Sequence, residues 1–220
     1  MENMKVVRVF VDEKGSFGNP VGIIIDTNNS INKAKRQQLA IDSGFSEITF
    51  INDIESRDIS IYSPTRKIPF AGHALVGTAY YLAHQFNLKF SELVSMGEVI
   101  HIVTDGQTTW IQGKLSILPH WNFEELPKVS DVENLTLGQT SDKEHVFVWS
   151  WKDRAKGVVR ARTFAADWDI PEDEANGSGS MILANKLNRE LTILHGKGSV
   201  IYSKPLDAFE SAVGGRAKLL

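Results

Sequence analysis

The chain has 220 residues, 42% of them apolar and 23% charged, with acidic and basic residues scattered to a net charge of −3. Such values fit a soluble globular protein that can bury a real core, and the missing basic stripe or polybasic run argues against a nucleic acid or an anionic membrane as partner. There is no cysteine, which excludes disulfides, thiolate metal sites and a cysteine nucleophile or acid/base.

Taken in order, Met1–Val11 carries no apolar core long enough for a signal peptide, so a cytoplasmic location is the expectation. Lys5–Val11 is β-rich with alternation and predicts a first strand. The loop Gly15–Pro20 follows, then a buried strand at Val21–Ile25. Asn28–Ser30 can cap a helix over Asn32–Asp42, with Ile31, Leu39 and Ile41 towards the core and Gly44 as its end. Glu47–Ile51 and Asp58–Tyr62 predict strands. Pro69–Gln85 (PFAGHALVGTAYYLAHQ) then reads as a helix that is apolar nearly all round, and such a helix belongs inside a fold. With His73 and His84 and fewer than 18 apolar residues, it is too short and polar to span a bilayer. Strands are expected at Val99–Thr104 and Thr109–Ile117.

Pro119–Thr140 has no clean period and reads as a passage between domains, which divides the chain into 1–118 and 119–220. Strands resume at Glu144–Trp151 and Val158–Phe164. After Ala166–Ser180 come a helical run at Met181–Asn188 and strands at Leu191–Leu194 and Val200–Tyr202. Phe209–Leu220 is compatible with a hairpin about Gly214-Gly215, or with a return to the first domain. The halves echo each other: Ile68-Pro69 leads to Gly72-His73 and an apolar helix, Ile170-Pro171 to Gly177-Ser178 and another. Two helix N-termini facing one cleft would favour a carboxylate, each contributing roughly 0.3–1 kcal/mol.

Several residues could carry chemistry. Glu47, between a helix-ending glycine and an apolar strand, is either a strand-end glutamate in water or a half-buried carboxylate with a pKa raised towards neutrality, suited to general acid/base work. His73 is either satisfied locally or donates to a ligand. Asp173 either neutralises a helix start or accepts from a ligand. Asn19 has a plain reading as a turn residue. No Gly-x-Ser-x-Gly elbow supports a triad of Ser178, His73 and Asp173, and the six histidines show no metal-ligand spacing.

Together these blocks resemble the phenazine-biosynthesis PhzF-like family, a branch of the diaminopimelate-epimerase-like fold. The matching residues are Val9-Phe10 with Phe17-Gly18-Asn19-Pro20, Ser46-Glu47-Ile48-Thr49-Phe50, Ser63-Pro64 with Ile68-Pro69-Phe70-Ala71-Gly72-His73-Ala74, and Val159–Phe164 with Pro171-Glu172-Asp173 and Gly177-Ser178. The resemblance implies an α+β fold of two similar domains, each a mixed, barrel-like sheet around a central helix. It further implies a cofactor-independent, metal-free proton-transfer isomerase, usually a homodimer, acting on a small carboxylate-bearing substrate in the interdomain cleft. On this mapping Glu47 moves the proton, His73 and Asp173 support it, and Asn19, Ser46, Gly72, Gly177 and Ser178 bind substrate. Departures from the family pattern are Lys67, Asn176 and a short second half with little room for an outer helix between Glu144–Trp151 and Val158–Phe164. These departures keep a non-catalytic metabolite-binding or regulatory protein on the same fold as the alternative; a serine hydrolase is the third.

Overall fold

The computed structural model describes residues 4–140 and 142–220. Strands β1 (Lys5–Val11) and β2 (Asn19–Ile25) pair antiparallel, and α1 (Lys33–Ser43) carries the chain to β3 (Ile48–Asp53), parallel to β2. Strand β4 (Asp58–Tyr62) returns beside β3 and carries the two-residue β5 (Lys67–Ile68). Helix α2 (Gly72–Gln85) precedes β6 (Glu92–Ser95), β7 (Glu98–Thr104) and β8 (Thr109–Lys114). The second half holds β9 (Asn122–Glu125), α3 (Val129–Glu133), β10 (Val146–Asp153), β11 (Val158–Ala165), β12 (Ile170–Asp173), α4 (Gly177–Lys186), β13 (Leu191–His195), β14 (Ser199–Pro205) and β15 (Glu210–Leu219).

The strand order β1-β2-β3-β4-β6-β7-β8-β15, with β15 pairing back onto β1, closes a ring. Closure leaves the ring no free edge. Inside it lies α2, packed against β1, β2, β3, β8 and β15. Residues 72–79, Tyr81 and Leu82 of this helix are all buried, as its unbroken apolar sequence requires. From β15 the sheet continues through β14, β13, β11 and β10 to an open edge at β9. Helix α4 packs on β14 and β15. One hydrophobic cluster runs through both halves, joining Leu75 and Leu82 of α2 to Met181 and Leu183 of α4. The fold is thus the expected mixed α+β sheet around central helices, with β15 shared between the halves.

Several local expectations change. The cap of α1 is Asn32, whose side chain accepts from the Lys35 N–H at 2.9 Å, not Asn28–Ser30. Ile41 faces solvent at 50% exposure; α1 instead buries Ala40 and Arg36, the latter paired with Asp26 at 2.7 Å. Strands β5, β6, β9 and β12 are additional. They are two to four residues long, too short to show a period, and β5, β9 and β12 are fixed by pairing onto longer neighbours rather than by their own composition. Helix α4 starts at Gly177, four residues before its apolar run, because Asn176 caps it by accepting from Gly179 N–H at 2.6 Å. The second half's outer helix is α3, which precedes β10 and places Val132 against Val146, Val148 and Phe164. No hairpin forms at Gly214-Gly215. Both lie within the single strand β15, where an added Cβ would stand 2.4 Å from the Trp110 ring and 2.4 Å from the Phe10 ring respectively. The glycines serve close ring-on-strand packing, not a turn.

Candidate active site

The two central helices meet end to end. A Cβ built on Gly72 would lie 3.1 Å from Gly177 Cα, and one on Gly177 would lie 3.1 Å from Gly72 Cα. Each glycine is the first residue of its helix, so two positive helix ends and their free N–H groups share one junction.

Glu47 immediately precedes β3, and His73 is the second residue of α2. Glu47 Oε2 stands 3.0 Å from His73 Nε2, with side chains only 14% and 6% exposed. The pair lies within ion-pair distance without the alignment of a hydrogen bond. Neither atom has an aligned hydrogen-bond partner among the described residues. Burial alone would push the His73 pKa down, but the Glu47 carboxylate against it, with Asp173 further off, holds it above the ordinary imidazole value.

Asp173 closes β12 and reaches the same junction. Desolvation, with Glu47 adding to it, carries its carboxyl up to about 6 against the opposing pull of His73. Its Oδ1 accepts from Asn19 Nδ2 at 2.8 Å and from Ala175 N–H at 3.2 Å. Asn19 is buried at the start of β2. It donates weakly to the Ala175 carbonyl at 3.4 Å and accepts from Ser46 Oγ at 3.5 Å. Asn19 therefore ties the residue before Glu47 to the loop that carries Asp173. Ser178, the second residue of α4, accepts from Trp121 Nε1 at 3.0 Å. The structure brings Glu47, His73 and Asp173 into mutual electrostatic reach, links Asn19 and Ser46 to them, and sets Gly72 against Gly177, with Ser178 next in α4.

A second set of residues supports this group and carries no signal in the sequence. Ser199 Oγ accepts from Gly18 N–H at 2.9 Å and donates to Glu174 Oε1 at 2.7 Å, bracing the turn before Asn19 against the residue after Asp173. His195 is fully buried, and desolvation takes its pKa down to about 4. It is therefore neutral near pH 7. Its Nδ1–H donates to the Glu174 carbonyl at 2.9 Å, and Nε2 accepts from Thr163 Oγ1 at 2.9 Å. Gly18 and Ser199 are 181 positions apart, so no local pattern could have paired them.

The departures from the family pattern fall differently. Asn176 caps α4 and is 3% exposed. Lys67 lines a separate concavity of about 830 Å³ with Asn32, Arg36, Ser60 and Tyr62, which none of the site residues lines. Among the described residues, no group of three histidine or carboxylate side chains is arranged to hold a metal ion.

Comparison with known proteins agrees with this architecture. The family model for phenazine biosynthesis-like proteins matches residues 7–106. The chain is 25% identical to a trans-2,3-dihydro-3-hydroxyanthranilate isomerase of Pseudomonas fluorescens, over 92% of this chain and 84% of that protein. It is 26% identical to antisense-enhancing sequence 1 of Schizosaccharomyces pombe, over 81% of this chain and 77% of that protein. In three dimensions it is similar to a PhzF-family phenazine biosynthesis protein of Enterococcus faecalis. That similarity has a TM-score of 0.78 at 19% identity, covering 99% of this chain and 97% of the other.

Proposed function

Starting from a chain that is PhzF-like in sequence and in fold, we propose that it is a cofactor-independent isomerase that moves a proton on a small carboxylate-bearing metabolite. The observation that carries this reading is the buried Glu47–His73 contact of 3.0 Å beside two facing helix N-termini. Glu47 takes a proton from a carbon near the substrate's carboxylate or enamine and returns it elsewhere on the same molecule. Proton count and oxidation state are therefore conserved. The N–H groups at Gly72 and Gly177 hold the carboxylate, because both helix dipoles present positive charge there. His73, whose pKa its neighbours raise above the ordinary imidazole value, stands against the Glu47 carboxylate and favours its charged form. Asp173 offers a carboxyl poised near pH 6 to a polar group of the substrate. Asn19 and Ser46 keep these side chains in register. The isomerase name of the Pseudomonas fluorescens relative is the same reaction class. The capping role of Asn176 weakens one of the motives for a non-catalytic reading.

The test is solvent deuterium incorporation, by NMR, into trans-2,3-dihydro-3-hydroxyanthranilate and a panel of small carboxylates. Wild-type protein is expected to exchange at least one carbon-bound hydrogen. Glu47→Gln should lower that rate by about 10²–10⁴-fold while ligand binding survives. Retained exchange in Glu47→Gln would sink this mechanism. Binding without exchange in the wild type would favour the binding protein.

A further inference from the structure

We infer that Trp121 is a positioning residue of this site: its indole N–H sets the Ser178 hydroxyl as a hydrogen-bond donor towards a ligand carboxylate at the start of α4. The inference rests on the carboxylate-binding reading above. An indole N–H can only donate. Trp121 Nε1 lies 3.0 Å from Ser178 Oγ, so the hydroxyl oxygen must accept there, and its own proton points elsewhere. Among the described residues, the one other partner of that hydroxyl is Asn176 Oδ1 at a long 3.4 Å, an oxygen already engaged at 2.6 Å by Gly179 N–H. Ser178 is also the residue of the stretch 176–181 that keeps some exposure, while those around it are buried. A carboxylate arriving at the helix end therefore meets a hydroxyl whose proton is turned away from Trp121 and held only by the long contact to Asn176, from which it can be redirected.

The seat of Trp121 is built to hold that direction. Its side chain is nearly buried, at 6% exposure. Trp168 meets it edge-on at 5.0 Å, and the His145 ring stacks on Trp168 at 4.6 Å with a 17° tilt. His145 is itself pinned by Asp167, whose carboxylate accepts from its backbone N–H at 2.9 Å and from Nδ1 at 2.8 Å. An aromatic stack held at its far end leaves the indole little freedom to turn, so the polarity of the Ser178 bond is preset before ligand enters.

Titration calorimetry with anthranilate and its uncharged amide, anthranilamide, tests this. Trp121→Phe should weaken anthranilate by about tenfold, as loss of a preset hydrogen bond to a charged group predicts, and leave anthranilamide unchanged. Ser178→Ala should weaken anthranilate similarly, and the double variant should be no weaker than Ser178→Ala alone. An unaltered anthranilate affinity in Trp121→Phe, or equal losses for both ligands, would overturn the assignment. Should Trp121→Phe not fold, the assigned Trp121 indole ¹H–¹⁵N resonance of the wild type decides. It should move with anthranilate and not with the amide, and an unmoved resonance overturns the assignment. Failure of the wild type to bind anthranilate would overturn the carboxylate reading itself, which separates the two failures.

Discussion

Asp173 and His73 both bind a proton more tightly in the folded chain than in the unfolded one. Linkage gives the sign. Where the native state holds the extra proton, stability falls as pH rises. For Asp173 the window runs from its ordinary value of 3.8 to about 6. For His73 it begins at 6.5 and extends upward through its raised folded value. Urea unfolding across this range should show Asp173 contributing a loss of stability between about pH 4 and 6, against the opposite contribution of carboxylates held low, such as Glu172. Asp173→Asn removes the titrating group and should remove that contribution from the curve. It also removes a negative charge that supports protonated His73, so the higher window should shift to lower pH. A variant curve parallel to the wild type from pH 4 to 6 would mean that Asp173 is not the group titrating there.

The elements that matter are the two helix starts. Gly72 and Gly177 lie backbone against backbone, and a peptide backbone cannot turn aside as a flexible side chain can. Gly72→Ala gains helix propensity at an end position, where the gain is small. It also demands that α2 and α4 separate by a few tenths of an ångström inside one contiguous core. Overpacking outweighs propensity there, and a net loss of about 1–2 kcal/mol is expected by urea denaturation. On the mechanism proposed above, turnover should fall more than stability alone would require, because the same displacement shifts His73 and the helix N–H groups from the positions proposed to hold substrate. An Ala variant as stable and active as wild type would show that the helices can part freely.

For the whole molecule the decisive element is β15. It pairs with β1, β8 and β14, and so closes the ring around α2 while joining it to the second sheet. Removing residues 206–220 would open three ladders at once and expose the faces of Phe10 and Trp110 that now pack on Gly215 and Gly214. The truncated chain is expected to lose its cooperative unfolding transition, followed by circular dichroism against urea. A sharp transition at the wild-type midpoint would show that the ring closes without its last strand.

Much of this was legible in the sequence. An all-round apolar helix has to lie inside, and α2 does. Glycine at a helix start permits close approach, and both helices begin with one. Glu47, His73 and Asp173 stood out because each flanks such an element boundary. Other features were illegible because they arise only from pairing between distant segments. Strands β9 and β12 have no period of their own. The brace from Gly18 through Ser199 to Glu174, and the Trp121–Ser178 bond, join residues far apart in the chain. The glycines at 214 and 215 have the composition of a turn, and only the rings lying on them reveal a strand. Local periodicity thus determined which segments are buried, because burial follows from side-chain polarity along one element. Only the tertiary structure decided which buried groups face one another, because that depends on ring closure by the final strand.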